Sequence, residues 1–136
     1  MTTKQYLEQI GRLNEQIKNK LEEIHNLRIM ISGISGINDS EKVQYSSNKD
    51  KVGTITAKIV DMEIEVDKMI DKRWNIVNQI ESIEDTDSYD VLANVYVLGK
   101  GFKAVAIDKG ISYRHFLRLH DKAIVEFETI YGANYL

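Results

Sequence analysis

The sequence contains no cysteine and no proline, and only 8% of its 136 residues are aromatic. Without cysteine the chain has no disulfide, no thiolate zinc site and no cysteine nucleophile. Without proline, long helices can run without the break that this residue imposes. No run of about 18 apolar residues occurs, and the charged start does not resemble a signal peptide. We therefore expect a cytoplasmic protein that has no contact with a membrane.

The charge is distributed unevenly along the chain. The net charge of −3 argues against a protein that coats nucleic acid with its whole surface. Residues 1–98 hold 12 basic and 17 acidic side chains, whereas residues 99–122 hold 6 basic and 2 acidic ones. The positive charge is therefore gathered in one short segment, which can form a local basic patch.

Two long stretches carry apolar residues at alternating spacings of three and four, which predicts helices of the coiled-coil type. Lys20 and Arg73 occupy apolar positions in the two repeats. The first repeat consists of Tyr6, Ile10, Leu13, Ile17, Ile24, Leu27 and Ile31, and the second of Val52, Ile55, Ile59, Met62, Val66, Met69, Ile76, Ile80 and Ile83.

The second helix, over residues 51–84, would be about 50 Å long and needs a partner along its length. That partner is either residues 4–31, folded back as an antiparallel hairpin, or the same helix of a second chain.

Between the two helices, residues 32–49 are rich in glycine, serine and asparagine, which predicts a long connection. Asp50 is the expected N-cap of the second helix. Trp74 is expected to pack against the C-terminal part of the chain.

After the helix break "EDTDSYD", where Asp87 or Ser88 is the expected N-cap, the spacing of residues 102–119 predicts a helix-turn-helix. The small Ala106 allows close crossing of the helices, and Gly110 supplies the turn. Ile111, Phe116 and Leu119 fall where the second helix meets the first. Lys109 stands where an apolar residue is more usual.

The second helix of this motif is expected to face DNA. Ser112 caps it, and Arg114 and Arg118 lie one turn apart near its start, where they can contact guanine edges or phosphates. Lysines around it, Lys109 included, are expected to contact phosphates. The predicted DNA-binding residues are Lys100, Lys103, Ser112, Tyr113, Arg114, His115, Leu117, Arg118 and Lys122.

A family resemblance rests on "MTTKQYLEQI", "VQYSSNKDKV", "YVLGK" and "SYRHFLRLHDKA". With these segments the chain resembles small phage and prophage late transcription regulators of the ArpU and RinA type. Residues 89–127 are also similar to the region-4 helix-turn-helix of sigma factors. The resemblance implies DNA binding and control of phage transcription. Lys103 and Ala104 depart from the family, which usually has acidic residues at these positions.

Other interpretations of the sequence are weaker. "GKGFKA" imitates a dinucleotide fingerprint but lacks the strands that such a site needs, so a turn between helices is expected. "DTDSYD" lacks the glycine and glutamate of a calcium loop. His115 and His120 point about 140° apart on a helix and cannot share one site. His120 is expected at the edge of the head. We therefore predict no enzymatic activity, catalytic residue, metal or cofactor.

The sequence thus predicts an all-α protein with a long N-terminal antiparallel helical hairpin (1–84, loop about 32–49) and a helix-turn-helix DNA-binding domain (88–136). The expected function is a phage or prophage transcriptional regulator in a bacterial host. Its expected partners are double-stranded DNA, RNA polymerase or another host protein, and further copies of the chain as a homodimer or higher homo-oligomer. Two alternatives are a coiled-coil module that binds or inhibits a host protein, and a small DNA-packaging recognition subunit.

Overall fold

The computed structural model describes the backbone of residues 1–35 and 42–136 and the side chains of residues 1–34 and 49–136. A π-helical turn, Ala93–Val97, follows the third helix, and a 3-10 turn, Gly132–Asn134, follows the last one. No strand occurs in the described residues, and the predicted all-α class is confirmed. The helices are α1 (Thr3–Ser35), α2 (Lys42–Glu81), α3 (Thr86–Leu92), α4 (Phe102–Lys109) and α5 (Tyr113–Tyr131).

The two long helices extend further than the sequence predicted. Residues 32–35 belong to α1 and residues 42–49 to α2, while residues 36–41 of the predicted connection lie outside the described residues. One glycine or serine costs a helix only about 1 kcal/mol or less, and no proline is present to end it. Asp50 is therefore not an N-cap; it lies inside α2, where its carbonyl oxygen accepts a hydrogen bond from Thr54 Oγ1 at 3.0 Å.

The chain forms two compact units. Residues 15–70 form one, which we call the hairpin unit, and residues 1–14 and 71–136 form the other, which we call the head unit. The sequence predicted a division between residues 84 and 88, close to the break between α2 and α3. By its contacts, however, the chain groups the first turns of α1 and the last turns of α2 with the C-terminal helices.

In the hairpin unit, α1 and α2 of the same chain pack antiparallel. Lys20 Nζ lies 2.8 Å from Glu65 Oε2, and further along α1 Glu23 Oε1 lies 3.9 Å from Lys58 Nζ on an earlier turn of α2. Lys20, the predicted polar interruption of the first repeat, thus has an acidic partner across the helix pair. The buried core of this unit consists of Ile24, Leu27, Ile59, Met62 and Val66.

In the head unit, apolar residues of both long helices share one core with the C-terminal helices. Leu7 and Ile10 of α1 and Ile76 and Ile80 of α2 are buried in the same cluster as the α5 residue Phe116. Arg73 Nε donates a hydrogen bond to Asn14 Oδ1 at 2.5 Å, so the polar interruption of the second repeat is also partnered. A core supplied by all five helices holds α4 and α5 in place.

Two local predictions for the head unit were wrong. Trp74 is 62% exposed, because its neighbours Arg73 and Ile76 take the inward positions of this turn of α2. The N-cap of α3 is Asp85, which accepts hydrogen bonds from the backbone N–H of Ser88 at 3.3 Å and from Ser88 Oγ at 2.8 Å. Ser88 is buried inside the first turn and acts as the donor to the cap.

Candidate nucleic-acid interface

The connection between α4 and α5 is a tight turn closed by backbone hydrogen bonds. Gly110 adopts φ +68°, a left-handed conformation that favours glycine. Its N–H bonds to the Ile107 carbonyl at 3.0 Å, and the N–H of Ile111 bonds to the Ala106 carbonyl at 3.1 Å. This pair of bonds is a Schellman motif, which ends a helix and redirects the chain at once. The prediction that Gly110 forms the turn of a helix-turn-helix is confirmed.

The inner face of this turn is tightly packed. Ala106 is 3% exposed and Phe116 is fully buried, and the half-buried Ile111 packs against the same cluster. The rings of Phe102 and Phe116 lie 5.3 Å apart in a tilted arrangement, so the first residue of α4 contacts the first full turn of α5. The packing roles predicted for Ala106, Ile111 and Phe116 are confirmed.

The start of α5 is fixed by its cap. Ser112 Oγ accepts a hydrogen bond from the backbone N–H of His115 at 3.0 Å, as expected of an N-cap serine. Tyr113 and Arg114 follow directly and are exposed. Lys103 Nζ lies 6.0 Å from the centre of the Tyr113 ring, a cation–π contact between α4 and the start of α5. The cap and this contact place the first turn of α5 at the surface.

A basic row runs along the exposed face of α5. Arg114, Arg118 and Lys122 are spaced four residues apart, so they lie on one side of the helix, and all three are exposed. Neither arginine forms an ion pair in the described part of the chain. Lys122 Nζ is 3.9 Å from Asp85 Oδ2, at a site where the lysine side chain is still 68% exposed. Two free guanidinium groups and one weakly paired ammonium group therefore face solvent together.

The other predicted contact residues occupy different settings. His115 is exposed beside the basic row, and Leu117 is half-buried. Lys100 is exposed, and its Nζ lies 3.8 Å from Asp108 Oδ2. Lys109, where an apolar residue was expected, forms an ion pair with Asp90 of α3 and keeps only 21% of its side chain exposed. That pair explains how a lysine fits this position, and it leaves Lys109 poorly placed as a phosphate contact.

A family model described as "Protein of unknown function (DUF1492)" matches residues 34–128, which is more than half of the chain. The chain belongs to the DUF1492 family. The DUF1492 match runs from the end of α1 to near the end of α5 and includes the turn at Gly110 and the whole basic row. No curated protein and no solved structure matches the chain.

Inside the DUF1492 region, His120 lies in the core and not at the edge of the head. It is 5% exposed, and its Nε2 lies 2.7 Å from the hydroxyl of Tyr96 in the π-helical turn. Burial lowers the pKa of His120, with smaller opposing contributions from Asp121. Burial also raises the pKa of the Tyr96 hydroxyl well above its usual range. The two groups form a buried pair that joins the π-helical turn to the inner face of α5.

Sequence reasoning missed two residues of this DUF1492 region. Tyr96 could not be paired with His120 by spacing, because a π-helical turn sets its direction. Asp121 lies on the same outer face of α5 as the arginines, and its spacing of three from Arg118 was a signal that could have identified it.

The described residues bear on three other kinds of site. They contain no group of three or more histidine, aspartate or glutamate side chains placed to hold a metal ion. No helix among them combines the length and the apolar character needed to cross a membrane. Between the π-helical turn and α4, where the sequence imitates a dinucleotide fingerprint, Gly99 adopts φ +70° and the chain simply passes from one helical element to the next.

Proposed function

We propose that this chain binds double-stranded DNA through α4 and α5 and acts as a transcriptional regulator, as its resemblance to phage regulators implies. The observation that carries the proposal is the geometry of α5. Its inner face is locked in the core by Phe116 and Phe127, while Arg114, Arg118 and Lys122 form an exposed basic row that begins beside the capped N-terminus. A helix fixed on one side and basic on the other suits insertion into the major groove.

The chemistry of the row suits DNA. Arginine presents a planar fork that can bond the O6 and N7 atoms of guanine or hold a phosphate. The positive end of the α5 helix dipole adds a favourable field for a phosphate next to Ser112. Lys103 and Lys100, near the start of α4, would contribute phosphate contacts that fix the orientation of the head on the duplex.

The charge distribution supports binding by this part of the chain alone. Residues 99–122 carry a net charge of +4, whereas residues 1–98 carry −5. Phosphates are repelled by the acidic part and attracted by the basic segment, so a duplex would approach the helix-turn-helix. Recognition would therefore depend on a few side chains of α4 and α5.

The proposal is tested by fluorescence anisotropy of a labelled duplex pool, titrated with protein at several salt concentrations. We expect saturable binding whose affinity falls steeply with salt, because cation release drives phosphate contacts. Arg114→Ala combined with Arg118→Ala should weaken binding by at least about tenfold and reduce the slope of log K against log salt by up to about 2.

The matched control is Lys68→Ala combined with Lys72→Ala, which removes the same charge from exposed positions on α2. If the charge of α5 itself matters, this control should bind nearly as well as the unchanged protein. Equal losses in the two double variants, or no saturable binding at low salt, would refute the proposal.

A second candidate function is a protein-interaction module built on the hairpin unit. The observation that favours it is a set of large apolar side chains that are 49–56% exposed: Leu21, Ile29, Met30, Val60 and Ile64. Exposed apolar surface of this kind is typical of protein contacts. A host protein captured after nuclease treatment, and lost with Val60→Ser plus Ile64→Ser but kept with Arg114→Ala plus Arg118→Ala, would support this candidate.

A mass measurement in solution, with and without DNA, distinguishes a homodimer, a ring of many chains and a monomer. A homodimer would present two heads to half-sites about 34 Å apart or a multiple of that distance. A ring of many chains would favour the DNA-packaging alternative. A monomer that binds DNA with one-to-one stoichiometry would exclude both assemblies and leave the DNA-binding proposal intact.

A further inference from the structure

The outer face of α5 is not uniformly basic. Its direction is set by the buried residues Phe116, His120, Ala123 and Phe127, which define the inner face. The residues opposite them follow a spacing of four, three and four, and all are exposed: Arg114, Arg118, Asp121 and Val125. A carboxylate thus stands on the same exposed face as the two arginines, about one turn beyond Arg118.

Asp121 is not neutralised by its neighbours. Its side chain is 85% exposed, and within the described part of the chain it forms no ion pair with Arg118, although a spacing of three residues brings the two within reach on a helix. His120 Nδ1 lies 3.9 Å from Asp121 Oδ1, but burial lowers the pKa of that imidazole and so disfavours the charged form that would pair with the carboxylate. The negative charge therefore points into solvent on the face proposed to meet DNA.

The position of Asp121 matches the geometry of base reading. Recognition helices contact successive bases with residues at i, i+3 or i+4, and i+7, which lie on one side of the helix. Counting from Arg114, these positions are Leu117, Arg118 and Asp121. A phosphate repels a carboxylate, whereas the N4 amino group of cytosine in the major groove donates to one. An aspartate at i+7 can accept from the amino group of cytosine or of adenine, but the acceptor N7 beside adenine N6 repels a carboxylate, so cytosine is the more favourable partner.

On the basis of the proposed function, we propose that Asp121 determines sequence specificity by accepting a hydrogen bond from a cytosine amino group. On other sequences the same carboxylate opposes binding, because its charge faces phosphates with no compensating donor. The arginines supply most of the affinity, and Asp121 discriminates between sites.

The test is selection of bound duplexes from a library with a randomised core, using the full chain. The unchanged protein should enrich a motif with cytosine at one position. Asp121→Asn should replace that cytosine with adenine, because asparagine pairs with adenine N6 and N7, and leave the other positions unchanged. Asp121→Ala should remove the preference at that position without creating a new one. On the original site, both variants should bind about tenfold more weakly.

The matched control is Asp108→Asn, which removes the same charge from an exposed carboxylate of α4. This change should strengthen binding to all sequences alike at low salt, while the selected motif stays the same. If the unchanged protein enriches a motif that Asp121→Asn leaves unaltered, or a motif with no cytosine that depends on Asp121, the assignment of Asp121 fails and DNA binding stands. If the unchanged protein enriches nothing and binds no duplex, the proposed function fails together with it.

Discussion

The hairpin unit and the head unit are built from the same two long helices, yet they bury their side chains differently. In the hairpin unit two helices meet along one stripe, and large apolar residues such as Val60 and Ile64 stay half-exposed. In the head unit the same helices are covered by α3, α4 and α5, and the core gains the rings of Phe116 and Phe127. Side chains of the same heptad pattern therefore contribute more to the free energy of unfolding where more elements surround and bury them.

The two units should differ most in their response to a truncated core side chain. Phe116→Ala removes a fully buried ring that contacts Phe102, and we expect a loss of about 3–5 kcal/mol in the free energy of unfolding. Ile64→Ala, on the exposed face of the hairpin unit, should change it by less than about 0.5 kcal/mol. Urea denaturation followed by circular dichroism measures both, and similar losses would contradict the contrast between the units.

Replacing glycine by alanine should change the free energy of unfolding in opposite directions in the two units. Gly110→Ala places a side chain in a left-handed conformation and should cost about 1–2 kcal/mol. Gly53 lies within α2 with open space around the position of a Cβ atom, so Gly53→Ala should stabilise the protein by about 0.5–1 kcal/mol. The same denaturation measurement decides the signs. A loss at both positions would mean that helix propensity does not determine the stability of the hairpin unit.

The stability of the head unit should depend on pH through His120. Its pKa is lowered on folding by burial, so the unfolded chain binds the proton more readily than the folded one. The stability contribution of the neutral form is complete above the unfolded pKa of about 6.5, and it is lost as the pH falls through the lower folded pKa. Melting temperatures measured from pH 7.5 to pH 5 should show this decrease. His120→Gln should flatten the profile in that range.

The smallest effect is expected from the ion pair between Lys20 and Glu65 in the hairpin unit. The neighbouring lysine lowers the pKa of Glu65, and both side chains reach solvent. Exposed pairs contribute little and are screened by salt. A double-mutant cycle with Lys20→Met and Glu65→Gln should show a weak coupling at low salt that disappears in 1 M sodium chloride. A coupling that survives this salt would place the pair in a more protected setting than its exposure indicates.

Much of the fold could be predicted because it depends on local sequence features: apolar spacing, a turn glycine and a capping serine. The heptad residues Ile24, Ile59 and Ile80 are buried as expected, and Gly110 and Ser112 end and begin helices through conformations that their own chemistry favours. For the candidate site, the exposed positions of Arg114 and Arg118 follow from the same helical spacing.

The remainder depends on contacts between distant residues. Apolar spacing predicts which side of a helix faces inward, but it does not predict which elements cover that side. The sequence therefore led us to expect Trp74 to pack against the C-terminal part of the chain, whereas its side chain is exposed. The position of His120 could not be predicted, because its partner Tyr96 lies 24 residues away in the chain, in a turn that departs from the α-helical repeat. Lys109 is likewise explained only by Asp90 of α3, which lies beside it in the fold.

The π-helical turn has a consequence for how the chain tolerates changes in length. In this turn the N–H of Leu98 bonds to the carbonyl of Ala93, five residues earlier, so the stretch carries one residue more than an α-helix would need. Deleting a single residue here would let the backbone resume the ordinary repeat with the residues after the turn still facing the same way. We expect the head unit to tolerate such a deletion better than a one-residue deletion inside α5, which would rotate every later side chain of that helix by about 100°.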